Sequence, residues 1–120
     1  MEQALNKLTI KGFKSIKKLE DFELKKLNVM IGGNGAGKSN FVEIFRMLRA
    51  MVDENFANFI TSRGGADDFM FNGPKETREI EGELKFGENS YRFVLKPSAS
   101  EEFVFKEEME RYHDHDLAVR

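Results

Sequence analysis

The chain has 120 residues, 19 Lys and Arg against 21 Asp and Glu, and a net charge of −2. That length allows one small domain with a modest core. The absence of cysteine excludes disulfides and thiolate metal sites, and no apolar run is long enough to span a bilayer, so a soluble, cytoplasmic protein is expected. Charge is uneven along the chain. Lys7, Lys11, Lys14, Lys17, Lys18, Lys25 and Lys26 crowd the first quarter, and carboxylates dominate from Asp67 onward. Solvated strand faces explain such a pattern, and a basic edge beside a phosphate site would also attract anions. Phenylalanine supplies most of the aromatic content, with 12 Phe and no Trp, which suits a packed core.

Leu8 and Ile10 alternate with Thr9 and Lys11, which predicts a half-buried strand. Gly12 to Ile16 turns it, and a second strand is expected around Leu19 to Leu24. Leu27 to Ile31 is a short apolar run suited to a buried strand. It leads into Gly32-Gly33-Asn34-Gly35-Ala36-Gly37-Lys38-Ser39, a full G-x-x-x-x-G-K-[ST] phosphate-binding loop. Each position serves a polyphosphate. The glycines let the backbone curl so that successive N–H groups converge on an anion. The following helix start adds its own N–H groups and dipole. Lys38 reaches the β- and γ-phosphates, and the Ser39 hydroxyl suits Mg²⁺, a cation that takes oxygen ligands. Phe41, Ile44, Phe45, Leu48, Met51 and Val52 fall at helical spacing, predicting a helix from about Lys38 to Asp53.

Phe56, Phe59 and Ile60 keep helical spacing for a further short helix, broken at Thr61 to Gly65. Phe69, Met70 and Phe71 form an apolar plug closed by the turn Asn72-Gly73-Pro74. Period-two alternation then places Ile80, Leu84 and Phe86 on one strand face, with Gly82 between them. Tyr91, Phe93 and Leu95 share a face of the next strand, and Gly87 to Ser90 reads as a four-residue hairpin loop. After a turn at Pro97 to Ser100, Phe103 to Phe105 reads as a last short edge strand. The charged tail from Lys106 is expected to be frayed or helical.

Three stretches together resemble the N-terminal lobe of ABC-type head ATPases, a group that includes SMC and RecF proteins and related bacterial predicted AAA-type ATPases. They are Leu8 to Ile16 with its Gly-Phe-Lys-Ser-Ile, Leu27 to Ile31, and the phosphate loop ending Gly-Lys-Ser-Asn at Asn40. Gly65 to Gly73 is similar to a segment that follows the phosphate-loop helix in the bacterial proteins. The implied fold is α/β, a mixed sheet with one P-loop helix and an antiparallel hairpin or meander, so that residues 1–120 make a partial head domain. The resemblance implies ATP and Mg²⁺ as cofactors, held by Gly32, Asn34, Gly35, Ala36, Gly37, Lys38, Ser39 and Asn40, with Ser39 on the metal. It adds Lys14 and Ser15 near the phosphates, and Arg63 near adenine or a neighbouring subunit. It also implies, as partners, a complementary C-terminal half or a second copy head-to-head, with DNA by family analogy alone.

Hydrolysis asks for more. The family's apolar strand ending in Asp-Glu has no good counterpart, the nearest being Phe103 to Glu108, which Lys106 interrupts. The Leu-Ser-Gly-Gly signature is absent, since Ser62-Arg63-Gly64-Gly65 has the wrong order. Gln3 is the only glutamine, so no glutamine loop follows the hairpin. His113-Asp114-His115-Asp116 offers zinc-type ligands but reads as a solvated tail. No catalytic residue is assigned, and turnover stays open. Three functions compete: an ATP-binding lobe of a hydrolase, a nucleotide-binding sensor or assembly module without turnover, and a fragment of a P-loop kinase.

Overall fold

A computed structural model describes residues 5–24, 38–112 and 115–118. The strands are β1 (Lys7–Phe13), β2 (Ile16–Glu23), β3 (Ile80–Phe86), β4 (Asn89–Pro97), β5 (Phe103–Tyr112) and β6 (His115–Ala118). Two helices, α1 (Lys38–Val52) and α2 (Phe56–Ser62), and a 3₁₀ turn (Ala66–Phe69) fill the long connection between β2 and β3. The six strands form one sheet in the order β2-β1-β3-β4-β5-β6. Its five pairings are all antiparallel. The expected mixed sheet depends on a strand at Leu27 to Ile31, which lies outside the described residues.

The two sheet faces are chemically distinct because side chains alternate along each strand. Leu8 and Ile10 of β1, Ile80 and Leu84 of β3, and Phe93 and Leu95 of β4 are buried on one face with Phe41, Ile44 and Met47 of α1. Gly82 stands opposite both Ile10 and Phe93, and the Phe93 ring fills the place its missing side chain leaves. The other face carries charge of alternating sign. Arg92 lies 3.1 Å from Glu107 and 3.7 Å from Glu81, and Lys11 reaches Glu81 at 3.9 Å and Glu20 at 3.4 Å. Of the basic first quarter, Lys11 is thus paired across strands and Lys18 pairs with Glu20 at 3.1 Å within β2. Such exposed pairs contribute little each.

Two departures from the expected layout have clear causes. The β3–β4 loop is only Gly87-Glu88, since Phe86 already pairs with Asn89. Gly87 takes φ 63, as the first position of a tight hairpin turn demands. The tail beyond Lys106 is strand, not helix or frayed chain, and β5 is an interior strand between β4 and β6. A register shift between Val94 and Leu95 resets its pairing. Its charges are accommodated in pairs, Lys106 to Glu79 at 2.8 Å and Glu107 to Arg92.

A bulge in β2 sets Glu20 and Asp21 opposite Thr9, and Asp21 adopts φ 46 while its N–H donates to Thr9 Oγ1. Asp21 thereby reaches over β1 to Lys85 of β3, Nζ to Oδ1 2.7 Å. The hydrogen bond from Lys85 holds the Asp21 carboxyl below its ordinary pKa, and the same bond raises that of Lys85. The Asp21 contribution is therefore full above the unfolded carboxylate pKa and fades as pH falls through the lower folded value. The Lys85 contribution is full below the ordinary lysine pKa and is lost as pH rises through the raised one. Asp21→Asn is expected to bring the Lys85 titration, followed by NMR at Nζ, down towards an ordinary lysine. An unmoved titration would contradict this coupling.

Candidate nucleotide site

Helix α1 begins at Lys38, directly where the phosphate loop ends. Gly32, Asn34, Gly35, Ala36 and Gly37 lie outside the described residues. For Lys38, Ser39 and Asn40 the backbone alone is described, as the first turn of α1. That turn contains no carboxylate, and Arg49 sits in the last turn. That turn thus brings no negative charge to the positive end of the helix dipole, which favours an anion there. The helix is anchored immediately after its first turn. Phe41 packs edge-on against Phe22 of β2, ring centroids 5.4 Å apart, and Phe45 continues the cluster at 5.8 Å from Phe41.

Lys14 and Ser15 form the β1–β2 turn, at the end of β2 away from Phe22. Six strand steps separate Ile16 from Phe22, roughly 20 Å. The turn itself is rigidly held. Lys14 has φ 48, its N–H donates to the Phe69 carbonyl at 2.8 Å, and its ammonium lies 4.5 Å from the Phe69 ring centroid. Phe71 N–H donates to the Gly12 carbonyl at 2.9 Å, and Phe13 bridges to Met70. Gly12 takes φ 79, and a Cβ there would lie 2.7 Å from the Glu79 carbonyl oxygen, so only glycine passes without displacement. Two of the family-like stretches outside the phosphate loop, Leu8 to Ile16 at its Gly12 to Lys14 end and Gly65 to Gly73, therefore clamp one another.

Arg63 is not a freely solvated loop arginine. Its Nε donates to Glu43 Oε2 of α1 at 3.1 Å, and its guanidinium lies 4.1 Å from the Phe59 ring centroid. Glu43 is held at 14 % side-chain exposure, and its Oε1, 3.8 Å from Arg46, accepts no hydrogen bond among the described residues. This Glu43–Arg63 pair joins α1 to the end of α2. Its partners stand 20 residues apart, a separation that no local sequence pattern reveals.

The carboxylates nearest to a metal-supporting strand in sequence have structural partners. Glu107 pairs with Arg92 on the solvent face, and Glu108 accepts a hydrogen bond from the Tyr91 hydroxyl on the inner face. Tyr91–Glu108 also escaped the sequence pattern, because the β4–β5 register shift decides which way Glu108 points. Among the described residues no group of three or more His, Asp or Glu could hold a metal. His113 and Asp114 lie outside them. No described helix is long and apolar enough to cross a membrane.

No curated relative and no solved structure matches the chain. The family description "AAA ATPase domain" matches residues 4–117, spanning the phosphate loop, both helices and nearly the whole sheet. The match covers nearly the whole chain, and the chain belongs to the AAA ATPase domain family.

Proposed function

We propose that the chain is the Mg-ATP-binding lobe of an ABC- or SMC-like ATPase head. The observation that carries this reading is an unbroken G-x-x-x-x-G-K-S running straight into α1, whose first turn has no carboxylate to oppose a phosphate. In this reading the amides of Gly32 to Gly37, with Asn34 and Ala36 lining the curl, enclose the phosphates. Lys38 places its ammonium on the β- and γ-oxygens, Ser39 directs its hydroxyl to Mg²⁺, and Asn40 orients the helix start. The magnesium ion, when bound, neutralises phosphate charge. Lys14 and Ser15 join the site only as the family resemblance implies.

Turnover is assigned to a complementary C-terminal half, with a second copy as the head-to-head partner. Glu107 and Glu108 support this assignment, since Arg92 and Tyr91 already engage them. DNA as a substrate rests on family likeness alone. Calorimetry with ATP and magnesium tests the proposal. Lys38→Ala is expected to weaken binding by about 10- to 150-fold, the value of a charged hydrogen bond of roughly 1.5–3 kcal/mol. ATP hydrolysis by this chain alone is expected at background. Equal affinity in wild type and variant would refute the binding site. Hydrolysis abolished by Lys38→Ala would refute the missing machinery.

A further inference from the structure

A groove of about 1250 Å³ opens where the end of α1 and the start of α2 stand over β3, β4 and β5. Its floor is apolar, with Leu48, Met51, Phe86 and Phe105 among the lining side chains. Among the described residues the exposed large hydrophobics are Val52, Val104 and Tyr112, at 78, 51 and 48 % exposure, and all three line this groove. Val104 stands opposite Lys96 in the strand register, which turns its side chain to the solvent face, so Val52 and Tyr112 carry the exposed apolar surface at the margin of the groove. The volume exceeds the roughly 300–1,000 Å³ of ordinary small-molecule pockets and leaves room for a polypeptide segment.

Charge narrows the occupant. Glu54, Glu108 and Glu110 line the groove, and none of its described lining residues is Lys, Arg or His. Glu108 is occupied by Tyr91, but Glu54 and Glu110 form no ion pair among the described residues. Glu110 stands on the inner sheet face, opposite Tyr91 in the strand register. An apolar trough with carboxylates at its margin complements a helix that has one apolar face and lysine or arginine beside it. We infer that this groove docks a basic amphipathic helix of a partner polypeptide, at the end of α1 opposite its first turn.

The probe is a synthetic amphipathic peptide of about 14 residues, four helical turns, with leucine on one face and lysine on the other. Its counterpart keeps the leucines and replaces lysine with glutamate. Fluorescence anisotropy with the full chain is expected to show saturable binding of the lysine peptide and none of the glutamate peptide. Glu54→Lys with Glu110→Lys is expected to weaken binding about tenfold or more, while the exposed control Glu76→Lys leaves it unchanged. Val52→Asp, at a side chain too exposed to matter for folding, provides a second arm and is expected to weaken binding as well. The inference fails if the lysine peptide does not bind, if both peptides bind alike, or if Glu76→Lys weakens binding as much as the groove variants. It also fails if the chain dimerises and Val52→Asp dissolves the dimer, because the occupant is then a second copy.

Discussion

Phe69→Ala is expected to lower the unfolding free energy by about 3–5 kcal/mol, the usual cost of emptying a buried phenylalanine site. Phe69 is fully buried and central. Its ring centroid lies 5.9 Å from Phe13 of β1, 5.9 Å from Phe59 of α2 and 6.2 Å from Phe103 of β5, with the Lys14 ammonium above it. Truncation removes contacts to three elements at once, and these elements are far apart in sequence and cannot collapse together to refill the space. Small domains hold only about 5–15 kcal/mol in all, so the variant loses a large part of its margin. Urea titration followed by circular dichroism measures the effect, with partly buried Phe86→Ala as the milder comparison. A loss below about 1 kcal/mol would show that the plug is not central to the core.

Gly82→Ala is expected to destabilise by about 1–3 kcal/mol through overpacking, although alanine normally improves on glycine in regular structure. A Cβ at Gly82 would lie 2.2 Å from Phe93 Cζ, with the two Cε atoms at 2.5 and 2.8 Å. Phe93 is fully buried, so its ring cannot swing aside without displacing other core side chains. Phe93→Leu is expected to be costly alone and to cost less in the Gly82→Ala background, where the smaller side chain makes room for the new methyl. A double-mutant cycle on thermal or urea unfolding reads this coupling. Strict additivity would mean that ring and backbone are not in conflict.

Much of the sheet was legible because burial alternates with period two wherever a strand has one wet face. Leu8 and Ile10, Ile80 and Leu84, and Phe93 and Leu95 all announce themselves in this way. The extents of α1 and α2 follow from helical spacing and the breaker at Gly64-Gly65. β5 was hidden for the opposite reason. Glu108 and Glu110 occupy inner-face positions, so the strand reads as a polar tail until Tyr91 is seen to satisfy Glu108. The bonds that fix the hairpin turn, Lys14 to Phe69 and Phe71 to Gly12, are backbone contacts without a side-chain signature. The contacts of Arg63 left no local signal because Glu43 and Phe59 meet it only after α1 and α2 have packed. The phosphate loop is read from the sequence alone, since its chemistry demands particular residues at fixed spacing, and Gly32 to Gly37 lie outside the described residues.

The strand order carries a consequence for how the domain assembles. From β3 to β6 each strand pairs with its successor through a short connection, so this part can zip up from local encounters. β1 instead has to find β3 across everything from Lys14 to Glu79, with β2, both helices and the phosphate loop inside that excursion. Closing so long an excursion is the entropically slow step.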